Sequence, residues 1–280
     1  MNEISTRVLL ESMVRADATI DTGDLYAVGN ALGMTDQQVR LCIRRAVTEG
    51  QFTQEGRGRR ALLRASAALR KTLDPDVEFV RYAYEQDGGH APWDGRWHLV
   101  AFAIPESLRP ARDAMRDGIV RLGGAPIQGG LYVSANPWEP HVTTLVAELD
   151  VAQYVSQLTT TDLTVGEHTA PQQIAARLWP LDDIAARHHR LLELSRTCDA
   201  ALRDHLPGTE RVRIGIELAI EFTRAMEPDP LLAPELLPQP WIGATARAAF
   251  AHCWARLSAL ADATAPALFT RYHDTLAGRP

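Results

Sequence analysis

Apolar side chains recur with helical spacing between residues 35 and 50. They return at every third or fourth position and define one stripe that a helix can bury, namely Val39, Cys42, Ile43, Ala46 and Val47. Thr35 and Gln38 have the spacing of a capping box at the start, and Gly50 follows at the end. The pattern predicts an amphipathic helix whose second face is polar.

The polar face of this helix carries side chains that suit recognition of DNA bases. Arginine and glutamine can form paired hydrogen bonds with the edges of guanine and adenine. The first turns of a reading helix are the part that meets those edges. We therefore expect contacts to DNA from Gln37, Gln38, Arg40, Arg44 and Arg45.

A strand-like pattern follows the helix. Residues 52–54 and 60–64 can pair as a hairpin, and Gly56 and Gly58 in the turn between them are free to adopt positive φ. Three arginines would cluster at the tip, where phosphates pass, namely Arg57, Arg59 and Arg60. Helix and hairpin together predict a winged helix-turn-helix, with double-stranded DNA as its partner.

Charge along the chain supports the same partner. Residues 40–71 contain nine basic and two acidic side chains, a local net charge of +7, whereas the whole chain carries −6 and the remainder therefore −13. One basic segment in an acidic protein is more informative than a protein that is basic throughout. The alternative interpretation is a solvated basic helix beside an ordinary hairpin, because charge runs usually lie on the surface.

The DNA-binding module is expected to occupy residues 1–75. Its other helices are predicted at residues 4–14, 23–31 and 61–73. Asp74 and Pro75 would end the last of these helices. Glycines and a proline then mark residues 76–92 as a linker.

Short apolar runs in residues 93–179 predict a mixed central domain. Strands are expected at residues 97–104, 130–134 and 163–167, a helix at residues 108–122, and a helix or a strand at residues 141–149. A β-α-β-β-α-β order would make this domain a ferredoxin-like α/β sandwich. We expect it to contribute to dimerisation and sensing.

Residues 180–280 predict a helical C-terminal domain, so the fold class of the whole chain is α+β. Three long periodic stretches cover residues 181–206, 210–226 and 241–276. The proline density of residues 228–240 forbids a helix there and indicates a semi-rigid connector.

Composition narrows the class of protein further. The chain has 280 residues, 46% of them hydrophobic, and no apolar run approaches the length needed to span a membrane. Charges within the first apolar stretch argue against a signal peptide. The three cysteines lie far apart without a CxxC motif, so we expect a reducing cytoplasm and neither a disulfide framework nor a zinc site.

Three segments, in order, resemble the PaaX-type transcriptional repressors of aromatic-acid catabolism, a family named for phenylacetate degradation. They are TDQQVRLCIRRAVTEG with the following GRGRR, WDGRW with its strand and the later Arg112 and GLYVS, and DPLLAPELLPQPWIG at residues 229–243. The resemblance covers nearly the full length of the chain. It implies a dimeric cytoplasmic repressor that an aryl- or acyl-coenzyme A thioester releases from its operator.

Such an effector carries phosphates and an acyl tail, so its site needs arginines beside an apolar cleft. The central domain supplies these candidates: Trp93, Arg96, Trp97, Arg109, Arg112 and Arg116. Two simpler interpretations compete with this site. The tryptophans can fill a core, which we prefer, and the arginines can form a solvated helix face.

The central domain also resembles the ferredoxin-like domain of a CRISPR-associated nuclease, which makes a nucleic-acid-processing enzyme the alternative function. Those nucleases hold a metal with an aspartate at the end of the first strand, where this chain has Ala103. We therefore expect no catalytic residues, metal or cofactor. His188 and His189 would be a poor metal chelate, because adjacent helical residues face different ways, and they are expected at the surface. Cys198 and Cys253 are expected in the core.

Overall fold

A computed structural model describes residues 4–73, 77–204, 206–261, 265–269 and 276 of the chain. The chain divides into two units. One contains Met1–Arg81, Arg190–Phe222 and Ala246–Pro280, and the other contains Tyr82–His189 and Thr223–Thr245. Residues 180–280, expected as one helical module, thus contribute to both units.

The N-terminal segment contains four helices and a small antiparallel sheet. The helices are α1 (Thr6–Ser12), α2 (Thr22–Ala31), α3 (Asp36–Thr48) and α4 (Ala67–Thr72). The strands are β1 (Thr19–Asp21), β2 (Phe52–Glu55) and β3 (Leu62–Ala65), in the order β1-β3-β2. Strand β1 was not predicted, because three residues are too few to show an alternating pattern. The helix expected at residues 61–73 is shorter than predicted, since its first part is strand β3.

A helix occupies most of the segment that was expected to be a linker. Helix α5 (Val77–Asp87) buries Val80 and Ala83 on one side, and Gln86 is also buried. These side chains recur three residues apart, which gives the helix a buried face. The segment predicted as a linker, residues 76–92, is therefore helical over α5. The proposed helix end at Asp74 and Pro75 lies outside the described residues.

The central domain has the expected β-α-β-β-α-β order. Its elements are β4 (Trp97–Phe102), α6 (Arg109–Arg121), β5 (Ala125–Gln128), β6 (Leu131–Ser134), α7 (Glu139–Glu148) and β7 (Val155–Thr160). All neighbouring strands are antiparallel, in the order β5-β6-β4-β7. This arrangement is that of a ferredoxin-like sandwich.

The last strand of this sheet is not where the sequence pattern placed it. Residues 163–167 contain only an isolated bridge between Val165 and His168. Strand β7 instead pairs along the whole of β4, from Trp97 opposite Thr160 to Phe102 opposite Val155. Most of β7 is polar and exposed, so it lacks the alternation by which a half-buried strand is recognised.

The two faces of the central sheet pack into separate cores. Trp97 and Leu99 belong to one core together with Trp179, which follows helix α8 (Pro171–Leu178). Val100 and Tyr132 face the other core, under helices α6 and α7. Trp97 is 1% exposed, which confirms the preferred interpretation that it fills a core.

Three further helices follow the central domain, namely α9 (Leu181–Ala201), α10 (Gly208–Met226) and α11 (Ile242–Ala259). Cys198 in α9 and Cys253 in α11 are buried, as expected. Burial raises the pKa of the Cys198 thiol to about 11 and that of Cys253 to about 12. Both thiols are therefore protonated near neutral pH, which is unsuitable for nucleophiles.

The proline-rich segment between α10 and α11 is a buried part of the fold rather than an exposed connector. Leu231, Leu232 and Leu236 are each at most 3% exposed. The prediction that His188 lies at the surface is also wrong, because this side chain is 0% exposed and its Nε2 lies 2.7 Å from Asp229 Oδ2. His189, one position further along the helix, is exposed.

Candidate nucleic-acid interface

Helix α3 begins at a complete capping box. The Thr35 hydroxyl oxygen accepts a hydrogen bond from the Gln38 backbone N–H at 3.2 Å, and Gln38 Oε1 accepts one from the Thr35 backbone N–H at 2.8 Å. The predicted helix and its start are therefore present. The Gln38 side chain has a structural task at the cap, since its oxygen is already occupied by Thr35.

The buried and exposed faces of α3 are those that the spacing predicted. Val39, Ile43 and Ala46 are buried, and the helix packs against α1 and α2. The five candidate DNA contacts of the helix are exposed to solvent, namely Gln37, Gln38, Arg40, Arg44 and Arg45. A helix anchored on one face thus presents a largely basic and polar surface on the other.

The hairpin predicted after α3 is present as strands β2 and β3. Phe52 lies opposite Ala65 and Glu55 opposite Leu62. Gly56 and Gly58 have φ values of +83° and +63°, a backbone region that side chains with a Cβ rarely adopt. A short 3-10 turn at Gly58–Arg60 completes the connection, and it carries Arg59 and Arg60 beside Arg57.

This turn is held against the start of α2. The Thr22 hydroxyl donates to the backbone oxygens of Gly58 and Ala61, both at 2.8 Å. The Thr22 backbone N–H also donates to the Ala61 oxygen, at 3.1 Å. The tip of the hairpin is therefore short and fixed by hydrogen bonds to its own module.

Arg59 joins the turn to the reading helix. Its Nη2 lies 2.7 Å from Asp36 Oδ2 at the first residue of α3, and its guanidinium carbon lies 5.1 Å from the centre of the Tyr26 ring. The hydrogen bond from Arg59 lowers the pKa of the Asp36 carboxyl below its ordinary value. Sequence reasoning missed Asp36 and Tyr26, because no local pattern relates them to an arginine in another element.

The structure brings the eight candidate DNA contacts into one small module. Arg57 and Arg60 are exposed beside the tethered Arg59, in addition to the exposed face of α3. Arg59 itself keeps 58% of its side chain exposed despite its two partners. Both groups of cations are therefore exposed to solvent.

The six candidate effector residues lie on both faces of the central sheet. Trp93 and Trp97 make an edge-to-face contact with ring centres 5.4 Å apart, and Trp97 stacks on Trp179. The Trp93 ring N–H donates to the backbone oxygen of Arg96 at 3.0 Å. These three candidates therefore belong to the core and the loop on one side of the sheet.

The other three candidates lie on helix α6, which covers the opposite face of the sheet. Arg112 pairs with Glu106 at 2.7 Å, and Arg116 pairs with Asp117 at 3.3 Å. Arg109 approaches Glu106 and Asp113 at 3.8 Å and 3.7 Å. The structure does not bring the tryptophans and these arginines into one site.

Arg112 and Arg116 border a small cleft at the end of β4. Its volume is about 260 Å³, and its wall includes Phe102, Ala103 and Tyr132. The Phe102 and Tyr132 rings are stacked with their centres 5.4 Å apart. Asp113 also lines the cleft, 3.7 Å from Arg116, so carboxylates offset part of the positive charge there, although Ala103 contributes none. The two arginines beside an aromatic surface could still accept an anionic group.

Sequence reasoning also missed a buried histidine between two carboxylates. His98 Nδ1 lies 2.6 Å from Glu139 Oε1, and its Nε2 lies 3.2 Å from Asp94 Oδ2. Burial acts to raise the pKa of Glu139, but the hydrogen bond from His98, the nearby imidazole and backbone hydrogen bonds together outweigh it and hold that pKa below its ordinary value. Opposite ends of the ring are used, so the three groups do not converge on one point.

Two kinds of feature are absent from the described residues. Within the described ranges, no group of three or more histidine, cysteine, aspartate or glutamate side chains has an arrangement that could hold a metal ion. Over the same part of the chain, no helix is both long and apolar enough to cross a membrane.

Comparison with known proteins relates two long segments of the chain to one family. Residues 90–175 match the PaaX protein central Cas2-like domain, and residues 179–267 match the PaaX-like protein C-terminal domain. The chain is also 26% identical over 242 residues to the transcriptional repressor PaaX of Escherichia coli K12, with 85% of this chain and 74% of that protein covered.

A solved structure has a similar fold. It is the uncharacterised protein Rv0674 from Mycobacterium tuberculosis, with a TM-score of 0.58 and 24% sequence identity, and the match covers 97% of this chain and 98% of that one. At this identity the likeness concerns the fold alone. The two matched domains, in sequence order and together spanning more than half of the chain, establish that this protein belongs to the PaaX family.

Proposed function

We propose that the protein is a DNA-binding transcriptional regulator, and specifically a repressor, whose residues 1–75 form a winged helix-turn-helix. One observation carries the proposal. Within one module, the exposed polar face of α3 and the basic turn at Gly58–Arg60 present cations next to each other. Helix α3 would lie in the major groove, and the turn would approach the phosphates.

The distribution of charge supports duplex DNA as the partner. The local charge of +7 at residues 40–71 contrasts with −13 for the rest of the chain. Phosphate contacts supply much of the affinity for DNA, whereas base contacts supply specificity. The acidic remainder would disfavour other orientations on DNA and so direct this module to the duplex.

The proposal extends to the remaining segments. Residues 93–179 would serve dimerisation and sensing, residues 180–280 would form the helical part, and α5 would connect the first module to them. The protein would act in the cytoplasm as a homodimer on a two-fold operator. The repressor PaaX of Escherichia coli, to which the chain is similar, supports the repressor class by its name.

The proposed effector is an aryl- or acyl-coenzyme A thioester, in the control of aromatic or related acid catabolism. Because the six candidates lie on two faces of the sheet, one site cannot use them all. The cleft beside Arg112 and Arg116 is the better candidate for a phosphate, since it is open and bordered by cations. Trp97 is left out of the proposed site, because its side chain is 1% exposed.

We propose that the chain is not an enzyme. The ferredoxin-like domain relates it to nucleases by fold, and fold alone does not transfer a reaction. Metal-assisted cleavage of a phosphodiester needs hard oxygen ligands, and Ala103 supplies none at the end of β4. Incubation with single- and double-stranded nucleic acid and Mg²⁺ or Mn²⁺ should leave the substrate intact; cleavage that a chelator abolishes would contradict this.

The central experiment is selection of bound duplexes from genomic DNA, followed by gel shifts with the selected site. The Arg44→Ala, Arg45→Ala double variant should lose operator binding, because two exposed cations of the reading face are removed. Arg109→Ala, Arg121→Ala is the matched control, with two arginines of α6. Unchanged affinity in the first variant would refute the assignment of α3 as the reading helix.

The effector is tested on the same complex. Phenylacetyl-coenzyme A and related thioesters should weaken operator binding, and operator should weaken thioester binding by the same factor. Free coenzyme A is the control for the acyl group. Arg112→Ala and Arg116→Ala should blunt the response while leaving operator affinity unchanged, and a wild-type response in both would exclude the cleft as the effector site.

A further inference from the structure

One large apolar side chain interrupts the polar surface of α3, a helix that the structure describes throughout. Leu41 is 52% exposed and lies between Arg40 and the Arg44–Arg45 pair in the sequence. The buried stripe of the helix is complete without it, since Val39, Ile43 and Ala46 form that stripe. Leu41 therefore contributes little to the core of the module and is available to a partner.

The position of Leu41 is that of a residue that meets bases. Gln37, Arg40, Leu41 and Arg44 follow the spacing i, i+3, i+4, i+7, so they lie along one face of α3. The four residues with which the reading helix of a homeodomain contacts bases have the same spacing. On this face Leu41 has a glutamine one turn before it and an arginine one turn after it.

The chemistry of the major groove leaves one matching group for such a side chain. Arginine and glutamine can hydrogen-bond to the edges of guanine and adenine, whereas leucine can form no hydrogen bond. The apolar group on a major-groove edge is the 5-methyl group of thymine. Covering that methyl group removes apolar surface from water on both partners.

We propose that Leu41 contacts the 5-methyl group of a thymine in each half-site and so determines specificity at that base pair. The inference rests on the proposed function, namely that α3 lies in the major groove. It adds a thymine requirement to the hydrogen-bonded contacts expected from Gln37, Arg40 and Arg44. The thymine should lie next to a base pair that depends on one of these three residues.

A protein segment is the alternative partner for the surface around Leu41. Leu41 also borders a groove of about 620 Å³ between α1 and α3, whose wall includes Leu10, Met34 and Cys42. A protein segment in this groove would also cover Leu41. The arginines and the glutamine on either side of Leu41 favour the base pair, because a protein partner would have to satisfy or desolvate them.

The test uses the full chain and a duplex selected by it from a random-sequence library. Each thymine of one half-site is replaced in turn by deoxyuridine, which pairs identically but lacks the methyl group. At one position the replacement should weaken wild-type binding by about fourfold, the factor that corresponds to one buried methyl group. Leu41→Ala should weaken binding to the thymine duplex and should no longer distinguish thymine from deoxyuridine at that position.

Two variants make the result specific. Leu41→Met keeps an apolar side chain of similar volume and should retain sensitivity to the methyl group. Leu260→Ala removes a leucine of comparable exposure, 43%, that follows α11 and lies outside both the candidate DNA contacts and residues 93–179, and it should behave like wild type. Thermal melting of each variant checks folding, which the exposed position of Leu41 should leave nearly unchanged.

The outcomes distinguish failure of the thymine contact from failure of the proposed DNA-binding function. If wild type and Leu41→Ala respond alike to deoxyuridine at every position, the thymine contact is refuted while the DNA-binding function stands. If Leu41→Ala has a lower oligomeric state and an unchanged response to deoxyuridine, Leu41 makes a protein contact. That result would also refute the thymine contact. Failure of the wild type to enrich any duplex would refute the proposed function itself.

Discussion

At the scale of single residues, side chains of the same type have different tasks in the candidate interface. Arg40 is exposed on the reading helix, whereas Arg59 is bound to Asp36 and lies over Tyr26. Gln37 is exposed, whereas the Gln38 oxygen completes the capping box. A surface ion pair contributes little to stability, and Arg59 keeps 58% of its side chain exposed, so its pairing with Asp36 leaves it accessible for the proposed phosphate contact.

This difference predicts different responses to alanine. Arg40→Ala should cost about 1–3 kcal/mol on the selected operator and less on unrelated duplexes, if Arg40 pairs with a base. Arg59→Ala should weaken binding to all sequences alike and reduce the slope of log affinity against log salt by about one. Gel shifts over a range of salt concentrations measure both. If the two variants lose affinity with the same dependence on DNA sequence, the assignment of Arg40 to a base and of Arg59 to a phosphate is wrong.

A second prediction concerns the buried contact of His188. Asp229→Ala removes the carboxylate 2.7 Å from His188 Nε2 and also the acceptor of the Leu231 backbone N–H at 2.9 Å. Unfolding free energy should fall by about 2–4 kcal/mol, because buried donors lose their partner. Urea denaturation followed by tryptophan fluorescence measures the change. Glu227→Ala, an exposed acid two positions away, should change stability by less than about 0.5 kcal/mol.

At the scale of elements, helix α3 and the hairpin are both held in place by side-chain hydrogen bonds. Thr35 caps the start of α3, and Thr22 at the start of α2 holds the turn of the hairpin by two hydrogen bonds. The polar surface of α3 is thus positioned by contacts at its start as well as by its buried stripe. Substitution of Thr22 or Thr35 should therefore change operator affinity, although neither residue is a proposed DNA contact.

The capping box provides the test at this scale. Thr35→Ala should destabilise the first turn of α3 by about 1 kcal/mol, because the Gln38 backbone N–H loses its acceptor. Hydrogen exchange of the amides in α3 should rise, and operator affinity should fall. Thr48→Ala at the other end of the helix is the control, since its hydroxyl donates only to the Arg44 backbone oxygen four residues earlier. If Thr35→Ala leaves the protection of the α3 amides from hydrogen exchange unchanged, the structural role of the cap is contradicted.

At the scale of the whole molecule, the proposed function requires two copies of the reading helix. One such helix covers only a few base pairs, and dimers place their half-sites about one helical turn apart, or a multiple of it. Light scattering should therefore report a dimer bound to the selected duplex. Insertion of about five base pairs between the half-sites should abolish tight binding, since it moves them to opposite sides of the duplex. Monomeric behaviour both free and on DNA would exclude this arrangement.

Local spacing alone predicted several parts of the molecule correctly. Helix α3, its capping box, its buried stripe and the two glycines of the hairpin all depend on residues a few positions apart. Buried apolar strands such as β4 were predicted for the same reason. The β-α-β-β-α-β order was proposed from three predicted strands; the short strand β5 was missed, and the last strand was misplaced because β7 is a polar edge strand.

Other features depended on residues that only the folded chain brings together. Arg59 and Asp36 are 23 positions apart, and His188 and Asp229 are 41 positions apart, so no periodic pattern relates them. The candidate effector residues were grouped by chemical type, but alternation along β4 and the position of α6 place them on opposite faces of a sheet. Helical and strand periods specify which side of its own element a residue occupies. Which elements then pack together depends on contacts between residues that are far apart in the sequence. The free energy of those contacts leaves no pattern among neighbouring residues.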